Sequence, residues 1–171
     1  INDVAALYTG RFFNKGRRRM FQGRLFTACN RIGMLGVADD DIVSLSNLQR
    51  QILHDTAHVG MAKTASAARA LNRLNPHVRV IEHETRLTAD NMIDILTAYD
   101  LVVDGSDSFE TRYLLADAAE TLQIPLITAA VGRFDGSVTV LTPYQQDSDG
   151  QLLPRFRDLF PEPPPPGLVP S

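Results

Sequence analysis

The chain has 171 residues, enough for one domain with a buried core, and its 44% hydrophobic content is ordinary for a globular protein. Its 17 basic and 20 acidic side chains leave a formal charge of −3, without the basic excess of a nucleic-acid binder. The single cysteine, Cys29, excludes an internal disulfide framework and any Cys-x-x-Cys metal knuckle within the chain. No apolar run reaches the roughly 18 residues of a membrane span, and no signal-peptide pattern opens the sequence. These properties predict a cytosolic protein with no nucleic-acid or membrane partner, and the short basic run Lys15 to Arg19 reads as a solvated loop.

Residues 1–31 give no clear strand. Ile32 to Ala38 is a short apolar run closed by Asp39, Asp40 and Asp41, as expected of a buried strand. Lys63 opens an alanine-rich helix to Leu74, with Ala67, Leu71 and Leu74 on one face, and Asn75-Pro76 stops it. Val78 to Ile81 is a strand candidate, and Thr88 stands as N-cap to a helix carrying Met92, Ile93, Ile95 and Leu96. Leu101 to Val103 suits a central parallel strand covered on both faces. Phe109 to Leu122 is a second long amphipathic helix, with Tyr113, Leu114, Ala118 and Leu122 about one turn apart. Leu126 to Val131 and Val138 to Leu141 are strands joined through the hairpin signal Gly132 to Gly136. The tail from Pro161 to Pro170 is too proline-rich for helix or central strand.

This order predicts an α/β fold: a doubly wound, mostly parallel Rossmann-like sheet with an antiparallel hairpin toward the C-terminus. In such sheets ligands bind beyond the carboxyl ends of the strands, and Asp39 and Asp107 both follow strand ends on that rim. Taken alone, Asp39 reads as a turn residue or a ribose acceptor, and Asp107 as a helix cap or a ligand. Arg50 and Lys63 read alone as solvated charges. His54 and His58 are four apart in a polar connector and make a poor metal pair, and Arg112 and Arg133 read as structural pairing partners.

Several segments together resemble the ThiF/MoeB/HesA family, bacterial relatives of ubiquitin-activating enzymes. They are Ala38-Asp39-Asp40-Asp41-Ile42-Val43, Ser46-Asn47-Leu48-Gln49-Arg50-Gln51-Ile52-Leu53-His54, Val59-Gly60-Met61-Ala62-Lys63 and Leu71-Asn72-Arg73-Leu74-Asn75-Pro76. Further along come Asp100 to Phe109, Arg133-Phe134-Asp135-Gly136 and Leu159 to Gly167. The resemblance runs from about Ile32 to Ser171. It divides the chain into an atypical N-terminal segment, 1–31, a nucleotide-binding domain, 32–143, and a proline-rich crossover loop, 144–171.

The resemblance implies ATP-dependent adenylation of the C-terminal carboxylate of a ubiquitin-like sulfur-carrier protein, with ATP and magnesium as cofactors and a homodimeric assembly. It assigns Asp39 to the ribose, and Asn47, Arg50 and Lys63 to the triphosphate. Asp107 becomes the magnesium ligand, followed by Ser108 where relatives carry asparagine; Asp41 is left between capping and site. Arg50, Lys63 and Asp107 are the residues implied to act on the reacting phosphate.

Three departures qualify that expectation. Relatives carry a Gly-x-Gly-Gly-x-Gly loop about twenty residues before the position of Asp39, where backbone amides meet phosphate. The corresponding stretch here, Gly16 to Asn30, has no such loop and no first strand ahead of it. Arg155 and Asp158 stand where a zinc knuckle would place thiolates, so no zinc is expected. The sequence ends at Ser171, where relatives continue to a reactive cysteine, and Cys29 does not inherit that role. The expectation is therefore an incomplete adenylation domain of impaired activity, with a bare sheet position beside the Ile32–Ala38 strand. The alternatives are an inactive, carrier-binding module and a nicotinamide-dependent Rossmann oxidoreductase; the cations of the Ser46–Gln51 context favour ATP over the latter.

Overall fold

The computed structural model describes residues 5–9, 33–131 and 136–161. It has six strands, β1 (Ala5–Thr9), β2 (Met34–Ala38), β3 (Arg79–His83), β4 (Leu101–Asp104), β5 (Leu126–Val131) and β6 (Gly136–Leu141). Its helices are α1 (Lys63–Leu74), α2 (Met92–Leu96), α3 (Phe109–Leu122) and α4 (Phe156–Leu159). The strands form one sheet in the order β3-β2-β1-β4-β5-β6. β2 pairs parallel with β3, and β4 with β5, while β1 is antiparallel to both β2 and β4. Thus β2, β3, β4 and β5 all point the same way, and β6 returns antiparallel along β5.

The sheet position left bare by the sequence reading is filled. The five-residue run Ala5–Thr9 pairs on both sides, Ala5 opposite Ala38 and Asp104, and Tyr8 opposite Leu35 and Leu101. Unpaired backbone groups on β2 and β4 would be costly inside a sheet, and β1 satisfies them. Five residues that open on Ala5-Ala6 and carry neither a sustained apolar run nor strict alternation are too little for a sequence pattern to mark. The basic run Lys15 to Arg19, Cys29, the hairpin turn 132–135 and the tail from 162 onward lie outside the described residues.

Helices cover both faces, as a doubly wound sheet requires. Side chains of β2 alternate: Leu35 and Val37 pack with Ala67 and Leu71 of α1, while Ala38 joins the core built with α2 and α3. That second core contains Met92, Leu96, Val102, Leu115, Leu126 and Phe156, all nearly inaccessible to solvent. α1 and α3 span the ranges expected from periodicity. Leu74 is an exception, since the last residue of α1 extends past the sheet and is exposed. The helix after Thr88 also starts later than expected, with Asn91 as its N-cap. Asn91 Oδ1 accepts from Thr88 N at 2.9 Å and its Nδ2 donates to Arg86 O at 2.9 Å, so this side chain closes a loop before the helix begins.

Gly36, in the middle of β2, is placed by sterics. Tyr99 lies across it, and its hydroxyl pairs at 2.6 Å with His83 Nε2 at the end of β3. A methyl group at position 36 would overlap the phenol ring. Gly36→Ala should therefore cost about 1–3 kcal/mol, as overpacking in a filled core does. Urea unfolding measures this, and a Gly36→Ala/Tyr99→Leu double variant should recover part of the loss; an unchanged midpoint in the single variant would show that Tyr99 moves aside freely.

Candidate functional site

The carboxyl ends of β2 and β4 lie on the same edge of the sheet, separated only by β1, hence about 10 Å apart at the usual strand spacing. Asp39 follows β2 directly, and the loop Gly105–Ser108 follows β4. Between them lies a small cleft of about 10 Å³ lined by Asp39, Asp40, Thr85, Arg86, Ser106 and Thr111. The two rims chosen from strand ends therefore meet.

On the β2 side, residues 42–62 leave the sheet and return to it through a closed base. Ile42 bridges Ala62, Gly60 N donates to Val43 O at 2.8 Å, and Lys63 N donates to Asp41 O at 2.9 Å. Gly60 makes the return with φ of 87°, a conformation that a side chain would strain. This closure delivers the Lys63 side chain into the acidic run. Its ammonium lies 2.6 Å from Asp41 Oδ2 and 3.5 Å from Asp39 Oδ2, and only 2% of the side chain is exposed. Asp39 is equally buried; its Oδ1 accepts from Asp41 N at 2.8 Å, while Oδ2 has no hydrogen-bond donor among the described residues.

The other sequence-chosen residues flank this cluster. Asn47 is buried, and its Oδ1 accepts from Ser44 N at 3.2 Å, shaping the turn that carries Arg50. Arg50 is exposed and its Nη1 donates to Ser46 O at 3.1 Å. Asp107 is exposed on the β4 loop, and Ser108 caps α3 by accepting from Thr111 N at 3.3 Å. Asp39, Asp41 and Lys63 are thus in direct contact, while Arg50 and Asp107 project from loops at the same edge.

Sequence reasoning missed two polar clusters. His54 Nδ1 and His58 Nδ1 converge on the buried Ser66 hydroxyl, at 2.8 and 3.0 Å, and hold the returning segment against α1. Burial, with Lys63 and His58 nearby, pushes the His54 pKa down. Behind the β4 loop, buried Asp104 accepts from Ser106 and Thr128. Neither cluster has a local sequence signal, because the partners come from different elements.

Arg155 and Asp158 also acquire a structural account. Arg155 pairs with Glu120 at 3.1 Å, and Asp158 Oδ2 accepts from Arg155 N at 2.8 Å, turning the chain into α4. Arg157 pairs with Asp117 at 2.7 Å and lies over the Tyr113 ring. A larger cavity of about 150 Å³ under α4 is bounded by these paired charges and by Leu126 and Leu141. Leu126 begins β5 and Leu141 ends the antiparallel β6, so this cavity sits at the edge opposite the rim.

A doubly wound α/β sheet of this order, with polar groups gathered at its carboxyl rim, defines a fold of the Rossmann type. Residues 27–171 match the ThiF family, and the chain belongs to it. It is 49% identical over 140 residues to a sulfur carrier protein adenylyltransferase of Thermus thermophilus, covering 82% of this chain and 51% of that protein. It is 44% identical over 147 residues to the probable adenylyltransferase/sulfurtransferase MoeZ of Mycobacterium tuberculosis, covering 86% of this chain and 37% of that one. The chain therefore spans about half or less of these curated relatives. Among solved structures, the E. coli tRNA N6-threonylcarbamoyladenosine dehydratase TcdA, in complex with ATP, is similar with a TM-score of 0.54 and 32% identity, over 57% of this chain and 40% of that one. No helix among the described residues is long and apolar enough to cross a membrane.

Asp39 is the titrating group to follow. Burial pushes its carboxyl up to about 6, against the opposing pull of the Asp41 amide and Lys63. With a raised folded-state pKa, its contribution to stability is full below about pH 4 and is lost as pH rises through about 6, the reverse of an ordinary surface carboxylate. Carbon-13 NMR should place the Asp39 carboxyl midpoint near pH 6, and wild type should lose stability relative to Asp39→Asn between pH 4 and 7. A midpoint near 4 would show that Lys63 and the amide outweigh burial.

Proposed function

We propose that this chain carries the adenylate-forming site of an enzyme that activates a ubiquitin-like sulfur-carrier protein, of the kind that serves molybdopterin or thiamine biosynthesis. In that reaction a carboxylate oxygen at the carrier's C-terminus attacks the α-phosphorus of ATP. The bond from that phosphorus to the bridging oxygen breaks, pyrophosphate leaves with the electron pair, and an acyl-adenylate remains. No side-chain nucleophile is needed, so the protein's work is positioning and charge stabilisation.

The observation that carries the reading is the meeting of the β2 and β4 rims in one cleft, with Asp39 and Lys63 on one side and the Asp107 loop on the other. Asp39 Oδ2, buried without a donor among the described residues, suits a ribose hydroxyl. The Lys63 ammonium has three protons to give, so an arriving phosphate can share it with Asp41. Arg50, exposed in the 42–62 segment, offers a fork that fits phosphate oxygens in pairs, and Asn47 orders the turn that presents it.

Asp107 is the residue that would hold magnesium. It offers an exposed hard oxygen, and magnesium takes one or two carboxylates with phosphate and water filling its shell, so the donor set fits. When bound, the ion supplies charge neutralisation at the phosphates. The acidic run Asp39–Asp41 brings three carboxylate oxygens within 4.8 Å of one another, and Lys63 already serves as its cation.

A second observation favours impaired activity, with the chain retained as a carrier-binding module. β1 runs antiparallel to β2, so Ala5 lies at the rim and Thr9 at the opposite edge. A segment leaving β1 therefore starts away from the cleft, whereas a strand parallel to β2 would deliver its following loop to the phosphates. With no Gly-x-Gly-Gly-x-Gly motif in Gly16 to Asn30, the chain should exchange labelled pyrophosphate into ATP, in the presence of carrier, at least about 100-fold more slowly than the Thermus thermophilus relative. Asp39→Ala should weaken ATP binding and spare pyrophosphate, while Lys63→Ala should weaken both. Exchange at the relative's rate would overturn the impairment, and ATP binding indifferent to both substitutions would overturn the site.

A further inference from the structure

Two carboxylates three residues apart on the β4 loop have opposite surroundings. Asp107 is exposed and follows Ser106, which lines the cleft, while Asp104, the last residue of β4, is 1% exposed. Asp104 Oδ1 accepts from both Ser106 N and Ser106 Oγ, at 2.9 and 2.7 Å. Its Oδ2 accepts from Thr128 Oγ1 of β5 at 2.7 Å and lies 4.0 Å from Arg112 Nη1 of α3. The same guanidinium donates through Nη2 to the Ser106 carbonyl. One buried carboxylate thus ties the loop to the strand before it, the strand beside it and the helix after it.

We propose that Asp104 is a positioning residue: with Thr128 and Arg112 it fixes the Gly105–Ser108 loop so that Asp107 is presented to nucleotide-bound magnesium. The inference rests on the adenylate-forming reading of the site. A single carboxylate gives magnesium little purchase if the loop must first be ordered, because fixing backbone conformation costs entropy. Asp104 removes that cost beforehand. Its oxygens are engaged by protein donors from three elements, and it sits beneath the cleft without an exposed face of its own. Ser106 connects the two carboxylates physically, since it is bonded to Asp104, precedes Asp107 and lines the cleft.

The test is calorimetric titration of the full chain with ATP, with and without magnesium, for wild type, Asp104→Asn, Thr128→Val and Thr128→Ser, with Asp107→Ala as the benchmark. Groups that orient a metal ligand typically change metal affinity by 10–100-fold. Asp104→Asn and Thr128→Val should therefore lose about 10–100-fold in magnesium-dependent ATP affinity, as Asp107→Ala does, with magnesium-free affinity unchanged. Thr128→Ser, which restores the hydroxyl, should recover it. A general structural role would lower both affinities together. If Thr128→Val keeps the wild-type ratio between the two conditions, the positioning role is overturned and the site reading stands. If wild type binds no ATP, or if Asp107→Ala keeps the wild-type ratio, the reading beneath the proposal fails and takes it along.

Discussion

The sheet depends on β1. Its five residues supply the only backbone ladder among the described residues that joins the β3-β2 pair to the β4-β5-β6 group. Without them each half would end in a bare edge facing the other, and the two rims of the cleft would have no fixed separation. With β1 in place, Asp39 and the Asp104–Ser108 loop are held about two strand spacings apart, a span suited to the sugar and phosphates of a nucleotide. The direction of β1 is a separate matter from its pairing. Its antiparallel direction completes the hydrogen bonding and the sheet order, yet the chain leaves it at the edge away from the cleft. Sheet pairing and phosphate binding are separable demands, and β1 answers the first.

Electrostatics at the β2 rim follow from a similar competition. Asp39 is buried by the core beneath Ala38 and by the closed base of the 42–62 segment, and burial disfavours its charge. Lys63 and the Asp41 amide oppose that effect without cancelling it. Lys63 is itself buried and depends on the two carboxylates. Asp41 is 55% exposed to solvent, but Asp39 and Lys63 are buried together, so the removal of either leaves a buried group uncompensated, which is more disruptive than the loss of one surface ion pair.

Much of this was legible in the sequence because it is local. The 3.6-residue pattern of Lys63–Leu74 and Phe109–Leu122 fixed both long helices, and the apolar runs ending in Asp39 and Asp104 fixed two strands of the rim. Asp39, Lys63 and Asp107 stand out in the sequence because each sits at the end or start of such an element. What escaped was non-local. The strand Ala5–Thr9 is defined by the gap it fills between β2 and β4. Asn91, which takes the capping role expected of Thr88, is defined by the loop it folds back upon. Ser66 and Thr128 read as ordinary helix and strand residues until His54, His58 and Asp104 are brought to them.

The contrast between Asp104 and Asp107 shows how one short loop can separate holding from binding. A carboxylate that is to meet a cation needs an oxygen within reach of solvent, and Asp107 is exposed. A carboxylate that anchors must spend its lone pairs on fixed donors, so it has nothing left for a ligand. Asp104 has three protein hydrogen bonds and a guanidinium nearby, and faces the interior. Asp107 is exposed, one residue beyond the Ser106 that lines the cleft. Ser108, by capping α3, then commits the chain to helix immediately after the exposed carboxylate, so the loop is bounded by a buried anchor on one side and a helix start on the other. Arg112, one turn into that helix, reaches back to Ser106 and closes the circuit. The position of Asp107 is therefore set by β4, β5 and α3 together, although none of those elements contains it.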